Sequence, residues 1–380
     1  MSDVADIPEA DRVEGAPHPR QTRALFGQEA AEREFLEALA GGRLHHGWLI
    51  TGPRGVGKAT LAWRIARRLL SEAPAEAAGQ GLFGEELPPA AAKLDAPADP
   101  ALEARIAALS EPRLCLIRRS WDPARKRLRT VITVDDVRRL RGFFALSAAE
   151  GGRRVVIVDS ADEMNVNAAN AILKVLEEPP RDTVLLLVSH QPARLLPTIR
   201  SRCRVLRCAP LGAEDMGRAL AAAGIEAGTD TPALAELSGG SVGEALRILA
   251  HDGLALYAEL LALMATMPRL DRAAAVKFAE SAGARGEAER LDLAIELIEL
   301  ALARLARAAV AGPPAIEAAP GEADTLTRLA AVPGAGRLWA ELQQSLGARM
   351  RHGRAVNLDP ASLILDTVLR INDAAAGLSR

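Results

Sequence analysis

The residues Gly52-Pro53-Arg54-Gly55-Val56-Gly57-Lys58-Ala59-Thr60 follow the apolar stretch Trp48-Leu49-Ile50 and lead into Leu61-Ala62-Trp63-Arg64-Ile65-Ala66. A glycine-rich turn between a strand and a helix lets backbone N–H groups converge on phosphate oxygens, and the helix N-terminus adds positive potential. Lys58 supplies a point charge for the outer phosphates, so Gly52, Gly55, Gly57 and Lys58 are candidate phosphate-binding residues. Phosphoryl chemistry at such a loop needs Mg²⁺, held by a Ser or Thr hydroxyl directly after the lysine. That place is Ala59. Thr60 stands one residue later, roughly 100° further around the helix, and is a poor substitute.

The other half of a nucleotide-hydrolysing site is an apolar strand ending in Asp, followed by an acid that polarises the attacking water. Arg154-Val155-Val156-Ile157-Val158-Asp159 provides the strand and the aspartate, but Ser160 occupies the place of the acid. Asp162 is close in sequence and lies beyond the strand end. The reading is a nucleotide-binding ancestry with damaged catalysis.

The elements that must position these groups can be bounded from composition. A length of 380 residues has room for two or three domains. Hydrophobic content of 49% beside 25% charged residues describes a folded chain, and 3% aromatics with abundant Ala, Leu and Arg favour helix. No apolar run approaches the roughly 20 residues that span a membrane, and Met1 to Pro19 is polar and acidic rather than signal-like. A cytoplasmic protein with no membrane partner is expected. The net charge of −2 excludes a globally basic nucleic-acid binder but not a local basic surface. Cys115, Cys203 and Cys208 are too few and too scattered for a zinc ribbon or disulfide framework, so free thiols and no zinc are expected.

Residues 1–21 read as a disordered lead-in, and an amphipathic helix fits Thr22 to Gly42 through Ala30, Phe35, Leu36 and Leu39. The helix after the glycine-rich loop runs to about Leu70. Residues 71–112, dominated by Ala, Pro, Glu and Gly, read as a variable insertion with a short helix near 101–109. A strand pair is expected at Leu114–Arg119 and Arg129–Val134, joined by the basic turn Asp122-Pro123-Ala124-Arg125-Lys126-Arg127. That turn reads as a solvated hairpin tip, with contact to DNA or a partner as the alternative. Asp135 can cap a helix to about Leu146, a helix from about Asn167 ends at Pro179-Pro180, and Thr183 to Val188 is a further strand. Alternating strands and helices make 22–210 a doubly wound α/β domain. Beyond it the chain reads as helical, over 211–268 and again over 269–380. There Leu291, Ile295, Ile298, Leu302 and Leu305 line one helix face, for a hetero-oligomer interface or for packing within the chain itself.

Asn165-Val166-Asn167-Ala168-Ala169-Asn170-Ala171-Ile172-Leu173-Lys174-Val175-Leu176-Glu177-Glu178-Pro179-Pro180 is followed by Leu185-Leu186-Leu187-Val188-Ser189-His190 and by Ser201-Arg202-Cys203. This series, together with Leu25-Phe26-Gly27-Gln28, His45-His46-Gly47 and Asn357-Leu358-Asp359-Pro360, closely resembles the AAA+ clamp-loader subunits. The resemblance implies an α/β P-loop domain of RecA-like type, a small helical lid and an all-α collar that holds the subunit in a hetero-oligomer. It implies partners as well: the clamp-loader ATPase subunits, the clamp-opening delta subunit and, through the assembly, the sliding clamp and primed DNA.

Motor subunits of that family carry a basic lid sensor within G-S-x-R-x-A-L, whereas Gly240-Ser241-Val242-Gly243-Glu244-Ala245-Leu246 puts Gly243 in its place. With Ala59 and Ser160 this is a third loss. The resemblance therefore implies a stator subunit with no activity of its own, requiring no cofactor, with weak ATP or ADP binding left open. Arg202 would act in trans as an arginine finger on a neighbour, while Cys203 packs as a thiol. The family's four-cysteine zinc module has only Cys115 in its region. A working clamp-loader ATPase is the alternative, and would need Thr60 or a water for Mg²⁺ and Asp162 as base. A small-molecule P-loop kinase fits less well with the Ser-Arg-Cys series and the long helical C-terminus.

Overall fold

The computed structural model describes residues 8–12, 15–41, 44–72, 94–97, 99–146, 152–284 and 286–378. Two compact units emerge, one of residues 1–211 with 221–225, the other of 212–220 with 226–380.

The first, the sheet unit, runs α1 (Glu29–Ala40), β1 (Gly47–Thr51), α2 (Lys58–Leu70), α3 (Pro100–Ala107), β2 (Leu114–Ile117), β3 (Trp121–Asp122), β4 (Arg127–Leu128), α4 (Val134–Leu146), β5 (Arg154–Val158), α5 (Val166–Glu177), β6 (Thr183–Ser189), α6 (Pro197–Arg200) and β7 (Arg204–Arg207). Five strands form one sheet in the order β2-β5-β6-β1-β7, all parallel. Strands covered by helices on both faces need unbroken apolar runs. Accordingly β1 and β6 are buried along their whole length, and β5 from Val155 to Val158. Placing β1 between β6 and β7 makes a topological switch at its carboxyl end, where ligands of open α/β sheets bind. The glycine-rich loop follows there.

Several expectations change. Residues 114–119 and 129–134 do not pair with each other: β2 joins the main sheet beside β5, and the only strand residues between them form the short β3–β4 hairpin. The turn Asp122–Arg127 is thus a hairpin tip, but of a much shorter hairpin. An edge place beside β5 buries Cys115, Leu116 and Ile117, which a free-standing hairpin could not do. The first helix starts at Glu29 rather than Thr22, after Gly27 at φ 68°. The start of α4 is fixed by Asp136, whose carboxylate accepts from the N–H (2.8 Å) and hydroxyl (2.7 Å) of Thr133, whereas Asp135 is exposed and pairs with Arg138. Helix α3 falls close to its expected place, and residues 73–93 of the insertion lie outside the described residues.

The lead-in is also corrected where it is described. Glu9 accepts from Arg20 (3.0 Å) and Arg118 (2.7 Å), Asp11 pairs with Arg118, and His18 lies 2.8 Å from Glu9. Burial pushes the Glu9 carboxyl up, but Arg118 and Arg20 hold it down at about 2. This ion cluster ties Glu9 and Asp11 to Arg118, in the segment after β2. Residues 1–7 lie outside the described residues.

The helical unit contains α7 (Ala213–Ala222, to Leu220), α8 (Thr231–Leu237), α9 (Val242–Ala250), α10 (Gly253–Thr266), α11 (Arg272–Ala282), α12 (Ala288–Ala311), α13 (Glu322–Ala330), α14 (Ala335–Ala355) and α15 (Pro360–Leu378). Leu291, Ile295, Ile298, Leu302 and Leu305 are all buried within this unit, where α12 packs on α14, α13 and α10. Their periodicity is a core pattern of the chain itself, so these five side chains do not form an oligomer surface. A buried network adds to that core: Glu322, fully buried, accepts from Tyr257 Oη (2.7 Å), Arg304 Nε (2.7 Å) and the Ala318 N–H (2.7 Å). No single described helix is long and apolar enough to cross a membrane; α9 and α10 pass that test only as a pair bent by 77°.

A candidate phosphate-binding site at the end of β1

Beyond Thr51 the backbone enters conformations that favour glycine, at Gly52 (φ 146°), Gly55 (φ 77°) and Gly57 (φ 97°). Space restricts two of them further. A Cβ on Gly52 would stand 2.4 Å from the Cys208 carbonyl oxygen, and one on Gly57 would stand 2.6 Å from Leu25 Cδ1. Gly57 is the residue before α2, and Lys58, Ala59 and Thr60 are the first three residues of that helix. The methyl of Ala59 therefore occupies the position from which a hydroxyl would hold Mg²⁺. Thr60 lies a further residue around the helix and is half-buried.

Lys58 is buried, with its ammonium donating to the Pro53 carbonyl. Burial lowers its pKa to about 8, with Asp159 and Asp162 opposing, so the cation persists at neutral pH. Asp159 directly follows β5, and burial pushes its carboxyl up to about 6 while Lys58 pulls the other way. Gly52, Gly55, Gly57, Lys58 and Asp159 are thus brought to one edge of the sheet.

Ser160 and Asp162, just beyond Asp159, are both engaged by the turn after β6. Ser160 is buried in the left-handed region (φ 57°), and its Oγ lies 3.0 Å from His190 Nε2. His190 stays neutral near pH 7, because burial, with Lys58 adding, drops its pKa to about 4. Asp162 accepts the N–H groups of His190 (3.0 Å) and Gln191 (3.2 Å) and is itself buried. Its carboxylate is thus committed to holding the turn after β6. Glu163 pairs with Arg119 (2.7 Å) and Arg54 (3.4 Å).

Two contributors are not apparent from motif spacing. His190 closes the Ser160 hydroxyl; its position at the end of an apolar strand was the available signal. Gln28, buried before α1, donates to the Val56 (3.1 Å) and Ala209 (2.8 Å) carbonyls and accepts the Ala209 N–H (2.9 Å). One side chain thereby ties the glycine-rich loop to the chain beyond β7.

Ser201, Arg202 and Cys203 are not part of this cluster. A Cβ on Gly47, the first residue of β1, would stand 3.1 Å from the Arg202 carbonyl oxygen and 3.4 Å from Cys203 Sγ. The motif therefore lies at the opposite end of β1 from the loop, about 16 Å away at the roughly 3.3 Å rise of a parallel strand. Arg202 donates to the Thr198 carbonyl (3.0 Å) and pairs with Glu177 (3.0 Å), with 38% of its side chain still exposed. Cys203 is a packed thiol that burial pushes up to about 12, and all three cysteines are free. In the helical unit, Gly243 is the second residue of α9 behind the Ser241 cap, and Arg247 further along is held by Glu244 and Glu296.

The family model described as DNA polymerase III, delta subunit, matches residues 93–212. Subunit delta' of DNA polymerase III from Pseudomonas aeruginosa is 44% identical over 215 residues, 55% of this chain and 58% of that protein. Over this part of its length the chain is similar to subunits of DNA polymerase III. Subunit gamma from Buchnera aphidicola (subsp. Acyrthosiphon pisum) is 26% identical over 238 residues, 61% of this chain and 59% of that protein. The chain thus spans under two thirds of the length of either relative. A solved gamma subunit-related protein from Thermotoga maritima aligns over 90% of this chain and 99% of its own at 16% identity, with a TM-score of 0.32.

Proposed function

We propose that the chain is a delta'-type stator of the DNA polymerase III clamp loader, without ATP turnover of its own and supplying Arg202 to the ATP site of an adjacent motor subunit. The observation that carries the first part is the state of Asp162. It is the nearest acid that could replace the missing carboxylate at Ser160, and both its oxygens already accept backbone N–H groups. Ala59 lacks the Mg²⁺ hydroxyl and Gly243 lacks the lid cation, so three separate contributions to phosphoryl transfer are missing. The loop with Lys58 keeps the means to hold a phosphate, which leaves weak ATP or ADP binding compatible with this role.

The second part is supported by the position of Arg202 at the far end of β1 from the chain's own loop. A guanidinium there serves a phosphate on another molecule more readily than one on its own. Its pair with Glu177 is exposed on both sides, and such pairs are worth about 0–1 kcal/mol, so a γ-phosphate can draw the arginine away. Trans fingers contribute roughly 10³–10⁵ in rate. In this reading 211–268 acts as a lid and 269–380 as the collar. The ATPase subunits and the delta subunit are its partners, and the sliding clamp and primed DNA are reached through the assembly in the cytoplasm.

The gamma relative, matching over a similar length, favours a second reading as a working ATPase. One reconstitution separates the two. The isolated chain is expected to show no turnover, while Arg202→Ala and Arg202→Lys assemble normally but lower the DNA- and clamp-stimulated ATPase of the complex, since an ammonium cannot reproduce the bidentate fork. Turnover by the isolated chain that Lys58→Ala abolishes overturns the stator reading. Unchanged stimulated turnover in both Arg202 variants overturns the finger.

A further inference from the structure

The β3–β4 hairpin carries cations that nothing so far employs. Asp122 Oδ1 accepts the N–H groups of Ala124 and Arg125, both at 3.1 Å, and Lys126 turns the chain at φ 49°. The only carboxylate of the tip is thus committed to shaping it. Beyond β4 the Arg129 N–H donates to the Ser120 carbonyl (2.9 Å), which extends the hairpin by one more rung. On the base, Trp121 and Leu128 are cross-strand partners and both are half-buried, which anchors the tip.

Arg125, Lys126, Arg127 and Arg129 are all exposed, and none has a carboxylate within ion-pair distance among the described residues. Their neighbours differ. Arg118 is paired with Glu9 and Asp11, Arg119 with Glu163 and Arg138 with Asp135. With Asp122 counted, the tip holds four cations against one anion, in a chain whose net charge is −2. Arg125, Arg127 and Arg129 line one concavity of about 290 Å³, together with Asp122, Leu128, Thr130 and Val131. Arg127 and Arg129 are two residues apart, roughly 6.6 Å in extended chain, which is comparable with the spacing of successive phosphates along one nucleic-acid strand.

We propose that this hairpin is a docking strip for the phosphodiester backbone of a nucleic-acid strand. The guanidinium fork matches phosphate oxygens in bidentate fashion, and repeated unpaired cations without base-reading groups give sequence-independent binding. An acidic protein partner fits less well, because protein interfaces concentrate their energy in aromatic or apolar anchors filling pockets, and this concavity is lined chiefly by charged and polar groups. The inference deepens the clamp-loader reading by assigning a nucleic-acid contact to this chain itself.

The test is fluorescence anisotropy of a labelled 20-nucleotide oligothymidine with the full chain between 50 and 200 mM salt. Four phosphate contacts on a single strand give a log–log salt slope of about −3, so affinity is expected to fall roughly 50-fold over that range. In R125A/K126A/R127A/R129A the slope should be shallower by about 3, whereas R125K/R127K/R129K should retain it. The proposal is overturned if the wild type does not bind at 50 mM salt or if the alanine variant keeps the wild-type slope. It is equally overturned if the lysine variant loses the slope, or if polyglutamate of equal charge displaces the oligonucleotide as well as unlabelled oligothymidine does. Each of those results leaves the stator assignment standing. Conversely, ATP turnover by the isolated chain would overturn that assignment without touching the hairpin.

Discussion

Replacing His190 by Gln should change how the stability of the sheet unit depends on pH. Gln can still bond the Ser160 hydroxyl, now 3.0 Å from Nε2, but it does not titrate. The folded pKa of His190 is about 4, below the ordinary 6.5, because burial and the neighbouring Lys58 disfavour the imidazolium. The unfolded chain therefore takes up the proton first. Stability from this group is fully present above pH 6.5 and is lost as pH falls towards 4. The shift corresponds to about 3 kcal/mol at 1.36 kcal/mol per pH unit, and partial exposure of the ring reduces this to about 1–2 kcal/mol. Asp159 acts in the opposite sense. Its folded pKa of about 6 lies above the ordinary 3.8, so its penalty is present above pH 6 and is relieved on acidification. The wild type should accordingly show a shallow profile between pH 6 and 4 as far as these two groups are concerned. His190→Gln should uncover the Asp159 arm and gain about 1–2 kcal/mol on the wild type between pH 7 and 4.5. Urea unfolding of both proteins across that range, followed by fluorescence of the buried Trp48 and Trp63, measures the difference. A stability difference that is constant with pH would refute the assignment of His190 as a neutral, half-buried partner of Ser160.

Glu322→Ala should cost the helical unit about 3–5 kcal/mol, because Arg304, Tyr257 and the Ala318 N–H lose a buried acceptor together. Urea unfolding checks this, and a loss below about 1 kcal/mol would mean that the network relaxes around the gap. Gly52→Ala should destabilise the sheet unit by about 2–3 kcal/mol, since the new methyl meets the backbone oxygen of Cys208 at a φ of 146°. A midpoint equal to the wild type would show that the loop can take another path.

Much of the architecture could be read from local pattern. Unbroken apolar runs at β1, β5 and β6 identify buried parallel strands, and Gly52, Gly55 and Gly57 mark a tight strand-to-helix turn because the backbone there takes conformations that favour glycine. The helices beyond residue 212 likewise follow from periodicity. The periodicity of Leu291 to Leu305 does not say which surface covers that face, and folding buries it inside the chain itself.

Long-range placement decided the rest. The apolar residues of β2 fit a hairpin as well as a sheet edge, and only the vacancy beside β5 selects the edge. Asp162 looks like a spare acid along the chain, but the return of β6 brings two N–H groups onto its carboxylate. A lead-in composed of polar and acidic residues reads as disorder until Arg118, about a hundred residues away, supplies the countercharge for Glu9 and Asp11. The loop and Arg202 are likewise separate motifs in the sequence. It is the length of β1 that puts them at opposite ends of one strand, because a parallel strand carries its two ends to opposite edges of the sheet.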